Sequence, residues 1–264
     1  MTLLQLLLLA VIQGVTEFLP ISSSGHLILV PYLTGWQDQG LMVDVAVHVG
    51  SLAAILAYFF RDAVALGRGG LSVVGIGEAR QQRRWFLLIL AGTVPAGLVG
   101  LAFKAFDVPA LFRSTDLVAG TLIFYGILLF LADRFGAQTR RYEEITLKDA
   151  LIVGCAQALA LVPGTSRSGV TMTAARFLGF SRPEAARFSF LLGIPAIAGA
   201  GLLVGLDLAE APAALQRDAI IAGLLTFIAA LGAMAFLMRW LQRASMTIFV
   251  VYRIALGLGL LIFF

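Results

Sequence analysis

The amino-acid sequence predicts an all-α polytopic membrane protein built as an inverted repeat, and three observations lead to this prediction. The first is composition, because 60% of the residues are hydrophobic, 13% are charged and the mean hydropathy is +0.95. Soluble domains carry roughly 25% charged residues. The second is a series of continuous apolar segments, which favours helices over the alternating strands of a membrane barrel. The third is a pair of similar polar breaks, at 19–26 and 162–169.

Ten apolar segments follow one another along the chain, and they lie at about 3–19, 22–34, 41–60, 85–103, 114–132, 147–162, 166–180, 187–205, 218–238 and 247–264. The segments 22–34 and 166–180 are too short to span a bilayer at about 1.5 Å per residue. Each of them follows a polar break, so we expect each to form a re-entrant hairpin with the segment before it. Six membrane spans then remain.

Basic residues in the loops predict the orientation, because loops rich in lysine and arginine stay in the cytoplasm. We therefore place two loops inside: 61–84, which includes a glycine-rich stretch at 67–77, and 133–148. The basic residues on that side are Arg61, Arg68, Arg80, Arg83, Arg84, Arg134, Arg140, Arg141, Lys148, Arg182, Arg187, Arg239 and Arg243. The loops placed outside contain Lys104, Asp107, Arg113, Asp207, Glu210, Arg217 and Asp218. Both termini are then external.

The resulting order is a hairpin plus three spans, followed by a second hairpin plus three spans. Since three is odd, the second unit is inverted relative to the first, and the two hairpin tips meet near the membrane midplane. We expect a single transmembrane domain over 1–264 with internal repeats at about 1–135 and 147–264. In this architecture the positive N-terminal ends of broken helices point at a central anion.

The net charge of the chain indicates which binding partners to expect, and its first residues indicate whether a signal peptide is present. The formal net charge of +4 comes with basic residues in loops between spans, so it reports orientation and predicts no nucleic-acid partner. Membrane lipids are the expected surroundings, and a homodimer is left open. Residues 1–19 lack a basic start and place Glu17 where a cleavage site needs small residues, so we expect no cleavable signal peptide.

The two breaks read LPISSSGH at 19–26 and VPGTSRSG at 162–169. In each copy a proline ends the preceding apolar segment and hydroxyl residues cap the following helix, which leaves backbone N–H groups pointing at the break. Such a helix start binds anions. Glu17 and His26 flank only the first copy, and Arg167 lies only in the second, which indicates that the copies divide the chemistry between them.

Glu17 is a functional candidate because a carboxylate inside an apolar helix is costly. Gln13 lies four residues earlier and shares its helix face. We expect Glu17 to take part in catalysis and to hold a divalent cation, Mg²⁺ or Ca²⁺.

Ser22, Ser23 and His26 can share one face at the start of the second helix. Ser23 beside an imidazole is a minimal pair for covalent catalysis, with His26 as the base and Glu17 orienting it. Alternatively, His26 attacks phosphorus itself and the serines bind oxygens. The sequence leaves this choice open.

Arg167 has the planar donor fork that suits phosphate oxygens, and hydroxyls and glycines flank it. A carboxylate, a hydroxyl, an imidazole and a guanidinium at membrane depth indicate phosphoryl transfer on a lipid. The residues expected to bind that substrate are Gln13, Ser22, Ser24, Gly25, Thr165, Ser166, Ser168 and Gly169.

Other polar residues in the apolar segments have less certain meaning. Asp44, His48 and Ser51 lie on nearly one face of the third segment and form either a supporting pair or an ordinary interhelical hydrogen bond. Gln157 precedes the second break as Gln13 precedes the first, and it either lines the site or joins helices.

At these motifs the chain resembles the bacitracin-resistance family of undecaprenyl-diphosphate phosphatases. The resemblance is carried by QGVTEFLPISSSGHL at 13–27, PGTSRSG at 163–169 and DVAVHVG at 44–50. It implies an inverted-repeat fold in the bacterial inner (plasma) membrane, with the active site facing the periplasm or cell exterior. It also implies divalent-cation-dependent hydrolysis of undecaprenyl diphosphate, which recycles the lipid carrier for cell-wall synthesis.

The resemblance implies that Glu17, Ser23, His26 and Arg167 form the catalytic group. This chain departs from many members at Gln13, where they have a second glutamate. A different class stays open beside the phosphatase. An inverted repeat with half-helices is also a transporter architecture, and the chain could move a lipid phosphate or an anion without hydrolysing it.

Overall fold

The computed structural model describes residues 1–36, 40–106 and 114–263 of the chain. This part is helical, apart from turns and one isolated bridge between Arg140 and Phe180. The helices are α1 (Leu3–Thr16), α2 (Ser23–Thr34), α3 (Leu41–Tyr58), α4 (Phe60–Val73), α5 (Arg80–Ala105), α6 (Thr115–Phe135), α7 (Leu147–Leu159), α8 (Arg167–Phe177), α9 (Arg182–Ala209), α10 (Ala213–Leu241) and α11 (Thr247–Phe263). A 3₁₀ turn covers Tyr142–Glu144.

Each of the ten predicted apolar segments contains one helix, and α4 is additional. The prediction of a loop over 61–84, with its glycine-rich stretch at 67–77, is therefore wrong for residues up to Val73, which belong to α4, and from Arg80 onward, which belong to α5. Gly69 is helical because α4 packs closely on α5, and a Cβ at this position would lie 2.2 Å from the carbonyl oxygen of Gln82. Gly69 therefore serves helix contact, whereas Gly75 and Gly77, with φ of 83° and 78°, lie in the turn after α4.

The chain is a multi-pass membrane protein by the length and apolarity of its helices. Of the six predicted spans, α3, α5, α6 and α10 are long and apolar enough to cross a membrane, and α11 is apolar but has 17 residues. Asp107 and Arg113 of the predicted outer loop lie outside the described residues. The count of six spans and the repeat boundaries at about 1–135 and 147–264 stay predictions.

Small residues bring the long helices together. A Cβ at Gly50 of α3 would lie 2.2 Å from the carbonyl oxygen of Gly223 on α10, and a Cβ at Gly154 of α7 would lie 2.2 Å from that of Gly92 on α5. Contacts between small residues are typical of helices that pack in lipid. The main core, with Phe18, Leu129, Phe190 and Met234 among its members, lies against the first polar break.

Ion pairs join loops that the charge pattern placed on one side. Arg187 on α9 pairs with Asp62 on α4 at 2.6 Å, and Arg182 pairs with Asp133 on α6 at 2.6 Å. Asp218, from a loop predicted on the other side, pairs with the N-terminal amine of Met1 at 2.6 Å. Each of these three pairs therefore joins residues that were predicted to lie on the same side.

This agreement generates a test of orientation. A cysteine at Gly75, in the predicted cytoplasmic group, should be shielded from an impermeant thiol reagent in intact cells, whereas one at Ala211 should be labelled. Because Cys155 is exposed, it is replaced first in both variants. Labelling of the Gly75 cysteine with protection of the Ala211 cysteine would reverse the predicted orientation.

Candidate active site

Both polar breaks separate two helices. The non-helical residues of the first are 17–22, between α1 and α2, and those of the second are 160–166, between α7 and α8. The remaining residues of each break, including Arg167, form the first turn of the helix that follows. Ser22 and Ser166 are the N-caps of the helices that follow. The hydroxyl of Ser22 accepts a hydrogen bond from the Gly25 N–H at 3.3 Å, and that of Ser166 accepts one from the Gly169 N–H at 3.1 Å.

The two N-caps share a strained backbone. Ser22 has φ of 77° and Ser166 has φ of 71°, and among the described residues they are the two non-glycine positions with positive φ. Such a conformation costs roughly 1–3 kcal/mol and is concentrated at functional sites. The same strain at matched positions shows that the two copies are alike in structure as well as in sequence.

The two breaks contact each other although they lie about 145 residues apart in sequence. The hydroxyl of Ser168 at the start of α8 donates to the carbonyl oxygen of Leu19 at 3.2 Å. Nη2 of Arg167 donates to Oε1 of Glu17 at 2.7 Å. The meeting of the two breaks, expected from the sequence, is therefore present.

Glu17 is the centre of the site, and its side chain is 6% exposed. Its Oε1 accepts from Arg167, while its Oε2 accepts from the Ser23 hydroxyl at 2.9 Å and from Nε2 of Gln13 at 3.1 Å. Nε2 of His48 lies 3.8 Å from the same Oε2. One buried carboxylate thus joins four side chains from α1, α2, α3 and α8.

The Arg167 guanidinium is fixed from two sides. Its Nη1 donates to the carbonyl oxygen of Ser189 on α9 at 2.9 Å, opposite the bond to Glu17. Gly193 leaves room for it, because a Cβ there would lie 2.4 Å from Nη1. The side chain of Arg167 is 16% exposed, so its donor fork reaches an accessible space from a rigid position.

His26 lies apart from this cluster. Its Nδ1 is 2.6 Å from the carbonyl oxygen of Ser22, which can only accept, so Nδ1 carries the proton. Nε2 therefore accepts from the hydroxyl of Tyr252 at 2.6 Å. We expected Glu17 to orient His26 as the base for Ser23, whereas the structure places Glu17 directly on the Ser23 hydroxyl. The two ring nitrogens of His26 have other partners.

Several of the residues expected to bind substrate already have hydrogen-bond partners within the protein. Ser22 and Ser166 serve as caps on Gly25 and Gly169, and Ser168 donates to Leu19. Ser24 is exposed at the start of α2. The first N–H groups of α2 and α8 have no intrahelical partner by helix geometry, so they are available to an anion.

The other polar side chains of the apolar segments differ in whether they contact the site. Nδ1 of His48 bonds to the carbonyl oxygen of Asp44 at 2.7 Å, and the Ser51 hydroxyl donates to the carbonyl oxygen of Val47 at 3.2 Å. His48 thus reaches the site through Glu17. Within the described residues, the Thr165 hydroxyl and the amide of Gln157 are buried without a hydrogen-bond partner.

Sequence reasoning missed three residues that contact the predicted groups: Ser189, Tyr252 and Arg253. Ser189 and Tyr252 carry no signal in the sequence, because each acts through a contact that depends on the packing of distant helices. Arg253 does carry a signal in the sequence. It is an arginine inside the apolar segment 247–264, and charged residues inside such segments are functional candidates, as Glu17 is.

The oxygens around Glu17 fit a divalent cation in part. No group of three or more histidine, cysteine, aspartate or glutamate side chains that could hold a metal ion occurs in the described portion of the chain. However, Oε1 of Gln13 is buried without a partner, and its amide lies against Glu17. An amide oxygen and a carboxylate suit Mg²⁺ or Ca²⁺, and a bound phosphate with water can complete the coordination.

Comparison with known proteins finds a family model described as "Bacitracin resistance protein BacA", which matches residues 6–259. A protein of Erythrobacter litoralis named undecaprenyl-diphosphatase is 57% identical over the whole of both chains. Proteins with the same name from Roseobacter denitrificans and Hahella chejuensis are 46% and 49% identical, over 99–100% of this chain and 98–99% of theirs. Full-length similarity of this degree covers both breaks.

The strained caps predict an unusual order of stabilities. Ser22→Gly should lower the melting temperature in detergent less than Ser22→Ala, because glycine adopts positive φ freely and alanine does not. The difference should correspond to about 1 kcal/mol or more. Ser166→Gly and Ser166→Ala should show the same order. Alanine variants more stable than the glycine variants would contradict the backbone assignment.

Proposed function

Because the chain belongs to the bacitracin resistance protein BacA family, we propose that it is an integral membrane undecaprenyl-diphosphatase. In this reaction undecaprenyl diphosphate and water give undecaprenyl phosphate and inorganic phosphate, which returns the lipid carrier to cell-wall synthesis. The observation that supports it most directly is the Arg167–Glu17–Ser23 chain of contacts across the two breaks. Transport of a lipid phosphate requires hydrogen-bond donors that bind the anion, but it does not require a nucleophilic hydroxyl paired with a buried carboxylate.

The proposed first step uses Ser23 as the nucleophile. Its Oγ forms a bond to the terminal phosphorus, the bond from that phosphorus to the bridging oxygen breaks, and undecaprenyl phosphate leaves. The Ser23 proton passes to Glu17, whose Oε2 already accepts it at 2.9 Å. Arg167 and the first N–H groups of α2 and α8 stabilise the charge on the phosphoryl oxygens.

The proposed second step uses His26. Water attacks the phosphoserine, the bond from phosphorus to Oγ breaks, and inorganic phosphate leaves. The Ser23 Oγ takes back the proton that Glu17 received in the first step, because Oε2 of Glu17 lies 2.9 Å from it. His26 lies one helical turn from Ser23, and its Nε2 is the basic nitrogen because Nδ1 is held on the Ser22 carbonyl. It must leave the Tyr252 hydroxyl to accept a proton from water. The alternative, in which His26 attacks phosphorus itself, uses the same nitrogen.

A divalent cation, Mg²⁺ or Ca²⁺, is proposed at Glu17 and the unpartnered Oε1 of Gln13. When bound, it would neutralise charge on the diphosphate and so favour attack by an oxygen nucleophile. Gln13 therefore takes the place of the second glutamate that the family resemblance led us to expect. A neutral amide is a weaker ligand than a carboxylate, so we expect this site to bind the cation less tightly than a site with two glutamates would.

The finer architecture also belongs to the proposal. We place six spans and two re-entrant hairpins in the inner (plasma) membrane, with inverted repeats and the site facing the periplasm or cell exterior. Matched strained caps at Ser22 and Ser166, together with loop ion pairs that each join residues predicted on the same side, support it. The oligomeric state stays open.

The function itself is tested by phosphate release from prenyl diphosphates of several lengths by the purified protein in detergent. The wild-type protein should release phosphate, and Arg167→Lys should lose most of the turnover, at least about tenfold, because a point charge cannot replace the two-pronged contact. Arg243→Lys, at an exposed arginine, is the control. Movement of an intact lipid diphosphate without phosphate release would favour the transporter.

The nucleophile is identified by trapping. Ser23→Ala should remove nearly all turnover, whereas His26→Ala should keep a residue of activity that rises with pH as hydroxide replaces the base. His26→Ala should also accumulate acid-stable phosphate on Ser23, detectable by mass spectrometry of quenched reactions. Acid-labile phosphate on His26, with Ser23→Ala still active, would assign the attack to the imidazole.

The cation site is tested at Gln13. Gln13→Glu adds a carboxylate, so it should lower the Mg²⁺ concentration for half-maximal activity by about tenfold. Gln13→Met removes the oxygen and should raise that concentration, and a chelator should abolish the activity of all three proteins. An unchanged Mg²⁺ requirement in both variants would place the cation elsewhere.

A further inference from the structure

Arg253 is a fully buried charge in the last helix of the chain. It lies in the middle of α11, whose other residues are mostly apolar, and its exposed fraction is 0%. The proposed mechanism makes no use of it. A guanidinium in such a place needs a physical reason, because charged side chains inside a membrane are costly and mark function.

Backbone carbonyls are the hydrogen-bond acceptors of Arg253. Nη1 donates to Pro20 at 3.3 Å, and Nη2 donates to Gly164 at 3.1 Å and Thr165 at 2.9 Å. Two further bonds reach α6, from Nε to Leu122 at 3.2 Å and from Nη2 to Thr121 at 3.4 Å. One side chain thus holds the first break, the second break and α6 at once.

None of the ion pairs within the described residues includes Arg253. Carbonyl groups offset part of the cost of burying a guanidinium, but an uncompensated ion still costs several kcal/mol. An apolar side chain of similar volume would fill the space without this cost, but it would leave the carbonyls of both breaks without their donor. Filling space therefore does not account for Arg253, whereas its donors and its charge do.

The charge lies beside the start of α8. A Cβ on Gly169 would be 2.7 Å from Nη1 of Arg253, so the guanidinium touches the first turn of the helix whose N–H groups face the break. Glu17 and Arg167 neutralise each other across the same break. Arg253 consequently leaves the site with one positive charge in excess, before any anion binds.

We propose that Arg253 is a positioning residue for the diphosphate site, and this inference rests on the proposed phosphatase function. Its donors fix the peptide groups of both breaks relative to each other, which keeps Ser23 and Arg167 in one geometry. Its charge adds to the positive ends of α2 and α8 and attracts a multiply charged anion. The two contributions are separable, because lysine keeps the charge and loses the fork.

The experiment compares Arg253→Lys and Arg253→Met with the wild type, in phosphate release and in competitive inhibition by inorganic pyrophosphate. Arg253→Lys should lower kcat by about tenfold, because one ammonium cannot hold the carbonyls of both breaks, and should keep the pyrophosphate inhibition constant within about threefold. Arg253→Met should lower kcat as much and raise the inhibition constant by about tenfold or more.

Arg176 offers a control that is equally buried but, unlike Arg253, is paired with a carboxylate, that of Asp133 at 3.5 Å. It is also fully buried and donates to the carbonyl oxygens of Gly136 at 3.0 Å and Ala137 at 2.6 Å, but it lies at the other end of α8. Arg176→Lys should lower the melting temperature while kcat and the inhibition constant of the folded fraction stay close to wild type. This separates a role in the site from a role in folding alone.

Wild-type kcat in folded Arg253→Lys, or an unchanged inhibition constant in Arg253→Met, would overturn the proposal. If Arg253→Met does not give a monodisperse peak on size-exclusion chromatography, Arg253→Lys alone decides through its kcat. A wild-type protein that releases no phosphate would instead refute the proposed function. The two failures are therefore distinguishable.

Discussion

The ion pair between Glu17 and Arg167 is the contact on which the arrangement of the site depends. Its two partners come from separate breaks, and at 2.7 Å it is short and almost shielded from solvent. Breaking one side of such a pair leaves a buried charge without compensation, which costs about 3–5 kcal/mol. Both breaks must therefore stay in contact, and this requirement accounts for the strained caps, the space at Gly193 and the Ser168–Leu19 bond.

The same pair explains how a hydroxyl can react inside an apolar bundle. Glu17 holds Ser23 with one carboxylate oxygen while Arg167 occupies the other. The proposed nucleophile and the proposed anion-binding guanidinium therefore have a fixed separation. Fixed dipoles and charges that are already in place cost no reorganisation during the reaction. Arg253 also holds the two breaks together, but it does so through hydrogen bonds to their backbone carbonyls rather than through a counter-ion.

Much of this site could be predicted from the sequence, because polar groups are conspicuous inside apolar helices. Glu17, Arg167 and the two capped breaks were selected on that ground. The partner of His26 could not be predicted, since its contact with Tyr252 joins residues 226 positions apart and depends on how α11 packs. The sequence predicts a loop where α4 lies, because glycine is typical both of chain reversal and of close helix contact. Only the packing of α4 on α5 distinguishes the two.

We propose that Glu17 and Arg167 act as one unit, and a double-mutant cycle on kcat/KM for phosphate release measures their coupling directly. The variants are Glu17→Gln, Arg167→Met and their combination, each compared with the wild type as a folded, monodisperse sample. If the pair acts as one unit, the double variant should be no worse than the poorer single variant, which corresponds to a coupling energy of about 1–3 kcal/mol. Losses that simply add in the double variant would show that the two residues act independently, and the ion pair would then not be the contact on which the site depends.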